Sequence, residues 1–149
     1  MLPQMKTAGS ILAALQAEIL GIVEAVGTDG MNWVPPYPET NSIYALATHT
    51  IQSQLWWIKE NLDGQKIERD RPAEFTASAT DMLLLKKRFS EIQAQTVEIL
   101  EKLAAEDLGK TREVKGKNVT VEWIVLHVIE HTALHLGHMQ ITKQLWEGR

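Results

Sequence analysis

Apolar residues recur every three or four positions along four long stretches of the chain, and turn-forming residues separate these stretches. This period is that of an amphipathic helix whose apolar stripe faces a core. Four such helices of about twenty residues, joined one after another, favour a bundle in which each stripe packs against the others. The predicted helices are about Thr7–Val26, Asn41 or Ser42 to Leu62, Thr80–Ala104, and Thr120 to Trp146.

The connecting segments support the same architecture. The prolines between Asn32 and Pro38 exclude a helix there, because proline removes backbone donors and restricts the residue before it. A polar segment covers Gln65 to Ser78, and residues Arg112 to Thr120 alternate around a glycine, which predicts a short hairpin or an extended loop. We therefore predict an all-α four-helix bundle that forms a single domain over residues 1–149.

Composition excludes several classes of function. The formal net charge of −4 and the scattered basic residues argue against a nucleic-acid partner. The chain has no cysteine, which excludes disulfides, thiolate metal sites and cysteine nucleophiles. No run approaches 18 apolar residues and the first ten residues do not resemble a signal peptide, so we expect no membrane span and a cytoplasmic protein.

The histidines are concentrated on the fourth predicted helix. Four of the five fall at positions 127, 131, 135 and 138, and at about 100° per residue they share an arc of about 80°. Neutral imidazole is the commonest metal ligand, and a pair four residues apart on a helix can bind one ion. The fifth, His49, lies on the second predicted helix with Ser53 and Trp56 close in angle, and it could supply a third ligand from across the bundle.

The apolar residues around these histidines predict how the fourth helix packs. Ile124, Leu134, Ile141 and Leu145 share the histidine face, so we expect that face to point into the core. A second apolar surface on the same helix is covered either by a partner subunit or by a larger internal core. It comprises Val125, Ile129, Leu136 and Met139. On the third helix, the residues expected to be buried are Leu83, Leu84, Phe89, Ile92, Val97, Leu100 and Leu103.

Two metal-site patterns are poor matches. His127 to His131 has the H-x-x-E-H spacing of inverted zinc proteases, but Glu130 points about 100° away from the histidine stripe. Di-iron bundles need a glutamate three residues before a histidine on two helices, and no histidine here has one. Among the other residues, Trp56 and Trp123 are candidates for the wall of a pocket, and Arg69-Asp70-Arg71 is typical of a salt-bridged surface turn or of a site that binds a carboxylate or a phosphate.

Two segments carry a resemblance to a known family: Asn41-Ser-Ile-Tyr-Ala-Leu-Ala-Thr-His49 and His127-Val-Ile-Glu-His131-Thr-Ala-Leu-His135-Leu-Gly-His138. With them the chain resembles the DinB-like superfamily, which includes the YfiT-like proteins. The resemblance implies a bundle with a divalent ion held by His49, His131 and His135, and often a homodimer. Family members commonly have arginine and glutamine where Leu136 and His138 stand here.

Characterised members include thiol-dependent transferases and isomerases that use low-molecular-weight thiols such as bacillithiol or mycothiol. The resemblance therefore implies a transferase that acts on a small-molecule substrate. The ion could be zinc, nickel, iron or manganese, since all accept imidazole. Under this resemblance His127 contributes to the pocket with Ser53, Trp56 and Trp123, and His138 is structural. The alternative is a non-catalytic binding or stress-response module with a structural metal, and a third possibility is a core of histidines without metal.

Overall fold

The computed structural model describes all residues from Met1 to Arg149 and contains four long helices in a bundle, with a small hairpin at one side. The long helices are α1 (Pro3–Asn32), α2 (Ile43–Leu55), α4 (Leu83–Glu101) and α5 (Val121–Glu147). A π-helical segment, Trp56–Leu62, continues α2, and a single turn, α3 (Arg71–Glu74), lies between α2 and α4. A 3₁₀ turn (Ala105–Asp107) precedes strands β1 (Thr111–Val114) and β2 (Lys117–Thr120).

These elements confirm the predicted all-α bundle and place the predicted hairpin. Strands β1 and β2 pair antiparallel, with Thr111 opposite Thr120. The N-termini of α2 and α5 are capped as their sequences predict, because the hydroxyls of Ser42 and Thr120 accept hydrogen bonds from the amides of Ala45 and Trp123 at 3.0 and 3.1 Å. Helix α1 extends past its predicted end, with a kink at Gly27, whose φ of 66° favours glycine.

A layer of glutamines divides the core into two apolar clusters. One cluster contains Ile19, Ile51 and Ile92, and the other contains Leu12, Ile58 and Ile99. Between them, on α1, α2 and α4, lie Gln16, Gln54 and Gln93 with Thr96. The amide of Gln16 donates to Gln54 and Gln93 at 2.8 and 3.0 Å, and the amide of Gln54 donates to Gln93 and Thr96 at 3.1 and 2.9 Å. The amide of Gln93 donates to the backbone carbonyl of Gly9 at 3.1 Å, so each glutamine amide has a partner within the chain.

The predicted burial of α4 is wrong at its first turn. Leu83 and Leu84 are 71% and 58% exposed, whereas Phe89, Ile92 and Leu100 are buried as expected, and Val97 and Leu103 are partly buried. The face that packs inward is the one that carries Leu85, Phe89, Ile92, Thr96 and Ile99. At about 100° per residue, Leu83 and Leu84 lie outside that face.

The predicted orientation of α5 is wrong by about a quarter of a turn. Of the four residues expected to face the core with the histidines, Ile124 is buried as predicted, but Leu134, Ile141 and Leu145 are exposed by 56%, 57% and 41%. The inward face is the second apolar surface, where Val125, Leu136 and Met139 are buried and Ile129 packs against the core. An internal core therefore covers that surface, and the histidines lie along the boundary between the buried and exposed faces.

Helix α1 is the one helix that is long and apolar enough, by length and composition alone, to cross a membrane. A helix in the core of a bundle passes the same test. In this fold α1 packs against α2, α4 and α5, and Leu12, Ile19 and Val23 on its inward face are buried in the two clusters.

Candidate metal centre

Three histidines meet at the boundary between α2 and α5. His49 projects from α2, and His131 and His135 project from successive turns of α5. The Nε2 atom of His131 lies 3.3 Å from that of His49 and 3.1 Å from that of His135. All three ligand atoms lie within 4.8 Å of one another, and no fourth His, Cys, Asp or Glu joins the group. The structure thus assembles the three residues that the sequence indicated.

The separations between these nitrogens suit a bound divalent ion. Zinc binds imidazole nitrogen at about 2.0–2.1 Å, and two ligands at a tetrahedral angle are then about 3.3 Å apart. The two separations at His131, 3.3 and 3.1 Å, are close to that value. Three protein ligands leave at least one coordination position for water or substrate, which is the arrangement of catalytic zinc sites.

The hydrogen atoms on the rings favour an ion at this point as well. Nδ1 of His49 lies 2.9 Å from Oε1 of Glu74, and a carboxylate can only accept, so a neutral His49 carries its proton on Nδ1 and presents a lone pair at Nε2. The Nε2 atom of His131 faces that lone pair on one side and the Nε2 atom of His135 on the other. A single N–H cannot fully satisfy three converging nitrogens, whereas one cation can accept all three lone pairs.

The electrostatic surroundings keep the three imidazoles neutral, which is the form that binds metal. Burial, followed by the neighbouring His135 and His49, lowers the pKa of His131 to about 3. Burial and then His49 lower the pKa of His135 to about 4. The pKa of His49 is also lowered by burial, and the hydrogen bond to Glu74 opposes that effect.

Glu74 is the buried acid of the site. Its side chain is 4% exposed, and besides His49 it contacts Arg69, whose Nε and Nη2 donate to the two carboxylate oxygens at 2.8 and 3.0 Å. The Arg69-Asp70-Arg71 run therefore binds a carboxylate through Arg69, and that carboxylate belongs to the same chain. Asp70 caps α3 by accepting from the amide of Ala73 at 3.2 Å.

Aromatic rings line one side of the cluster. His127 stacks on Trp123 with the ring centroids 4.6 Å apart, contacts Trp57 at 4.8 Å, and lies 6.0 Å from the ring of His131. On another side, the ring of Phe75 lies 4.5 Å from that of His49. The aromatic side chains form a wall against which an apolar part of a small molecule can pack.

The remaining predicted site residues lie at varying distances from the cluster. Trp56 contacts Trp57 at 5.0 Å and has the charged groups of Arg69 and Lys115 over its ring, at 5.6 and 5.0 Å. Ser53 is buried on α2 one turn after His49. His138, predicted to be structural, is exposed, and its Nδ1 lies 3.4 Å from Nδ1 of His135.

The side chain of Glu130 is 79% exposed, in agreement with its predicted direction away from the cluster.

Sequence reasoning missed Glu74, Phe75 and Trp57. Glu74 and Phe75 lie in the polar segment that was predicted only as a connection, and they reach His49 through the turn of α3. The Arg69-Asp70-Arg71 run was the available signal, because the arginine guanidinium binds carboxylates through two parallel hydrogen bonds.

Comparisons with known proteins agree with this geometry. The family model of the DinB superfamily matches residues 11–139, a range that includes all three histidines of the cluster. A solved structure described as a conserved protein from Enterococcus faecalis is similar, with a TM-score of 0.78 and 17% identity over 100% of both chains. At that identity the likeness concerns the fold alone. No match was found among curated proteins.

Proposed function

The chain belongs to the DinB superfamily, and from that premise we propose that it is a metal-dependent enzyme that transfers a low-molecular-weight thiol to a small electrophile. The observation that carries the proposal is the convergence of three Nε2 atoms from His49, His131 and His135 without a fourth protein ligand. The nature of the thiol and of the transfer comes from the family resemblance. Zinc, nickel, iron and manganese are the candidate ions.

A divalent ion held by the three histidines would lower the pKa of a thiol that binds beside it, so that the thiolate is present at neutral pH. In the transfer, the thiol proton goes to solvent, and the sulfur forms a new bond to the electrophilic carbon. The leaving group departs with the electron pair of the broken bond. The chain's own contribution is to hold the ligands neutral and to offer the wall of Trp57, Trp123 and His127 to the apolar part of the electrophile.

The test begins with elemental analysis of protein purified without an affinity tag, before and after addition of zinc, nickel or manganese. We expect one ion per chain. Thiol conjugation is then measured with a panel of low-molecular-weight thiols and a chromogenic aryl halide. His135→Ala should lose metal and at least about 100-fold in rate, whereas Gln140→Ala, an exposed position on the same helix, should retain both.

Two outcomes contradict the proposal in different ways. A metal content that stays well below one ion per chain would exclude the proposed metal site. Full metal content with no thiol transfer by any thiol in the panel removes the transferase and leaves a structural metal in a binding module.

We also propose that the protein is a cytoplasmic homodimer. The exposed apolar side chains of α5 support a second copy as the partner, because they form a stripe along one helix face that a monomer leaves in water. They are Trp123, Leu126, Leu134, Ile141 and Leu145. Light scattering should give twice the chain mass, and Ile141→Glu with Leu145→Glu should halve it. A wild-type mass equal to one chain would exclude the dimer, and cell fractionation tests the location.

A further inference from the structure

The carboxylate of Glu74 is held from two sides, by a guanidinium that is always charged and by an imidazole that belongs to the histidine cluster. On one side it accepts two hydrogen bonds from Arg69, at 2.8 and 3.0 Å, in the paired geometry that guanidinium and carboxylate favour. On the other side Oε1 lies 2.9 Å from Nδ1 of His49. Both acidic and imidazole side chains are almost completely buried, at 4% and 5% exposure. Bulk water therefore cannot take the place of either the Glu74 carboxylate or the His49 imidazole in this contact unless the surrounding side chains move.

The local sequence explains why the carboxylate points inward. Asp70 caps α3 and Pro72 occupies its first turn, so the chain makes one helical turn and brings Glu74 and Phe75 to His49 together. The guanidinium of Arg71 lies over the ring of Phe75 at 5.2 Å, a contact within the turn itself. The contact between Glu74 and His49 joins residues 25 positions apart.

We propose that Glu74, held by Arg69, is a positioning residue that fixes the tautomer and ring direction of His49 and thereby sets the metal affinity of the cluster. The inference deepens the proposed function: it rests on the metal site and not on thiol transfer. With its proton on Nδ1, His49 directs the Nε2 lone pair at the point that faces His131. Partners of this kind orient metal-binding histidines and raise their basicity.

Among the three ligands, His49 is the one that needs such a partner most. His131 and His135 are neighbours four residues apart on one rigid helix, and their Nε2 atoms lie 3.1 Å apart. His49 comes from a different helix, and its ring direction is not set by that spacing. Nδ1 of His135 lies 3.4 Å from Nδ1 of the exposed His138, whereas Nδ1 of His49 has a buried carboxylate, that of Glu74, as its partner.

The first measurement is the dissociation constant for Zn²⁺ alone, by competition with a chromogenic chelator. Glu74→Ala should weaken binding about 10- to 100-fold. Glu74→Gln should fall between Ala and wild type, because its amide oxygen can still accept from Nδ1 but no longer carries charge. The matched control is Glu68→Ala, an exposed acid on the same segment, which should change the constant less than twofold.

The second measurement separates positioning from a purely structural role. Long-range ¹H–¹⁵N spectra of the metal-free protein report which imidazole nitrogen of His49 carries the proton. Wild type should show the proton on Nδ1, and Glu74→Ala should lose that preference. Should the alanine variant fail to fold, Glu74→Gln keeps the side-chain volume and gives both readouts.

The outcomes distinguish this inference from the proposed function. Wild-type protein that binds no Zn²⁺ defeats the metal site, while the spectra still test the contact with His49. Wild-type protein that binds Zn²⁺ as tightly as Glu74→Ala, or a His49 tautomer that is the same in both, overturns the role of Glu74 and leaves the metal site standing.

Discussion

Two polar clusters lie in this bundle, and they differ in whether the protein satisfies them. The amides of Gln16 and Gln54 donate to neighbouring side chains of the layer, and the amide of Gln93 donates to the backbone carbonyl of Gly9, so the layer is complete without any group from outside the chain. In the histidine cluster, the Nε2 atoms of His49, His131 and His135 face one another. Buried polar groups without matched partners are costly, and proteins retain them where function requires it.

The comparison teaches how to tell a structural polar cluster from a binding site. Both clusters include a residue of α2, Gln54 and His49, five positions apart. Burial is therefore not the discriminating property, since both side chains are buried. The distinguishing property is the match between donors and acceptors, which is full in the glutamine layer and incomplete among the histidines until a cation binds.

The largest expected effect is the response to metal. Zn²⁺ at about 1,000 times its dissociation constant should stabilise the wild-type protein by about 4 kcal/mol, which raises the melting temperature by about 8–16 °C for a chain of this size. His131→Ala removes the central ligand and should abolish this increase. Gln54→Ala should retain it in full, because the glutamine layer is complete without metal. Differential scanning calorimetry with and without Zn²⁺ checks both.

If Gln54→Ala also lost the response to Zn²⁺, the two clusters would form one coupled network, and the distinction between them would fail.

The next effect concerns the glutamine layer. Gln54→Ala leaves a cavity and removes partners from Gln16, Gln93 and Thr96, and it should cost about 2–4 kcal/mol in urea unfolding. Replacing Gln16, Gln54 and Gln93 together by leucine removes all the matched amides at once. The triple variant should unfold within about 1–2 kcal/mol of wild type, because paired polar groups can be exchanged for apolar ones at little cost.

A triple variant that is less stable than Gln54→Ala would contradict this expectation. It would show that the hydrogen bonds of the layer make a net contribution to stability that leucine packing does not replace.

The sequence predicted one of these clusters and not the other, for a physical reason. Histidines at spacings of four on one helix identify a shared face, and His49 was the one remaining histidine, so the ligand set followed from pattern and resemblance. Glutamine is common on helix surfaces, and Gln16, Gln54 and Gln93 show no spacing that relates them, because they come from three helices. Their contact is a result of packing.

The same limit explains the errors in the fold. Helix α5 carries apolar residues on nearly every face, so its periodicity could not decide whether Leu134 and Ile141 or Leu136 and Met139 face inward. Helix boundaries at Ser42 and Thr120 were predictable because capping is local. The role of Glu74 was not predictable, since its partner His49 lies 25 residues away along the chain.

The third effect is a pH dependence that, of the two clusters, only the histidine cluster produces. The pKa values of His131 and His135 are about 3 and 4 in the folded protein, below the value of about 6.5 expected in the unfolded chain. The unfolded chain therefore takes up protons first as the pH falls. The contribution to stability is complete above about pH 6.5 and is lost progressively down to the folded values, by at most about 1.4 kcal/mol per pH unit for each histidine.

Urea unfolding of metal-free protein between pH 7.5 and pH 4 measures this slope. The variant with both His131→Ala and His135→Ala should have a shallower slope, whereas the triple glutamine-to-leucine variant should keep the wild-type slope, because its changed residues do not titrate. Equal slopes in wild type and the histidine double variant would contradict the low pKa values.

The smallest effect tests whether the two clusters depend equally on the helix that they share. Ser42 caps α2 about two turns before His49 and three before Gln54, and its hydroxyl accepts from the amide of Ala45 at 3.0 Å. Ser42→Ala should cost about 1 kcal/mol in urea unfolding, with Ser90→Ala at an exposed site on α4 as the control. Zn²⁺ affinity should change less than twofold, because Glu74, itself held by Arg69, orients His49 independently of the cap. If affinity fell as much in Ser42→Ala as in Glu74→Gln, the direction of His49 would depend on the start of α2 and not on the carboxylate beside it.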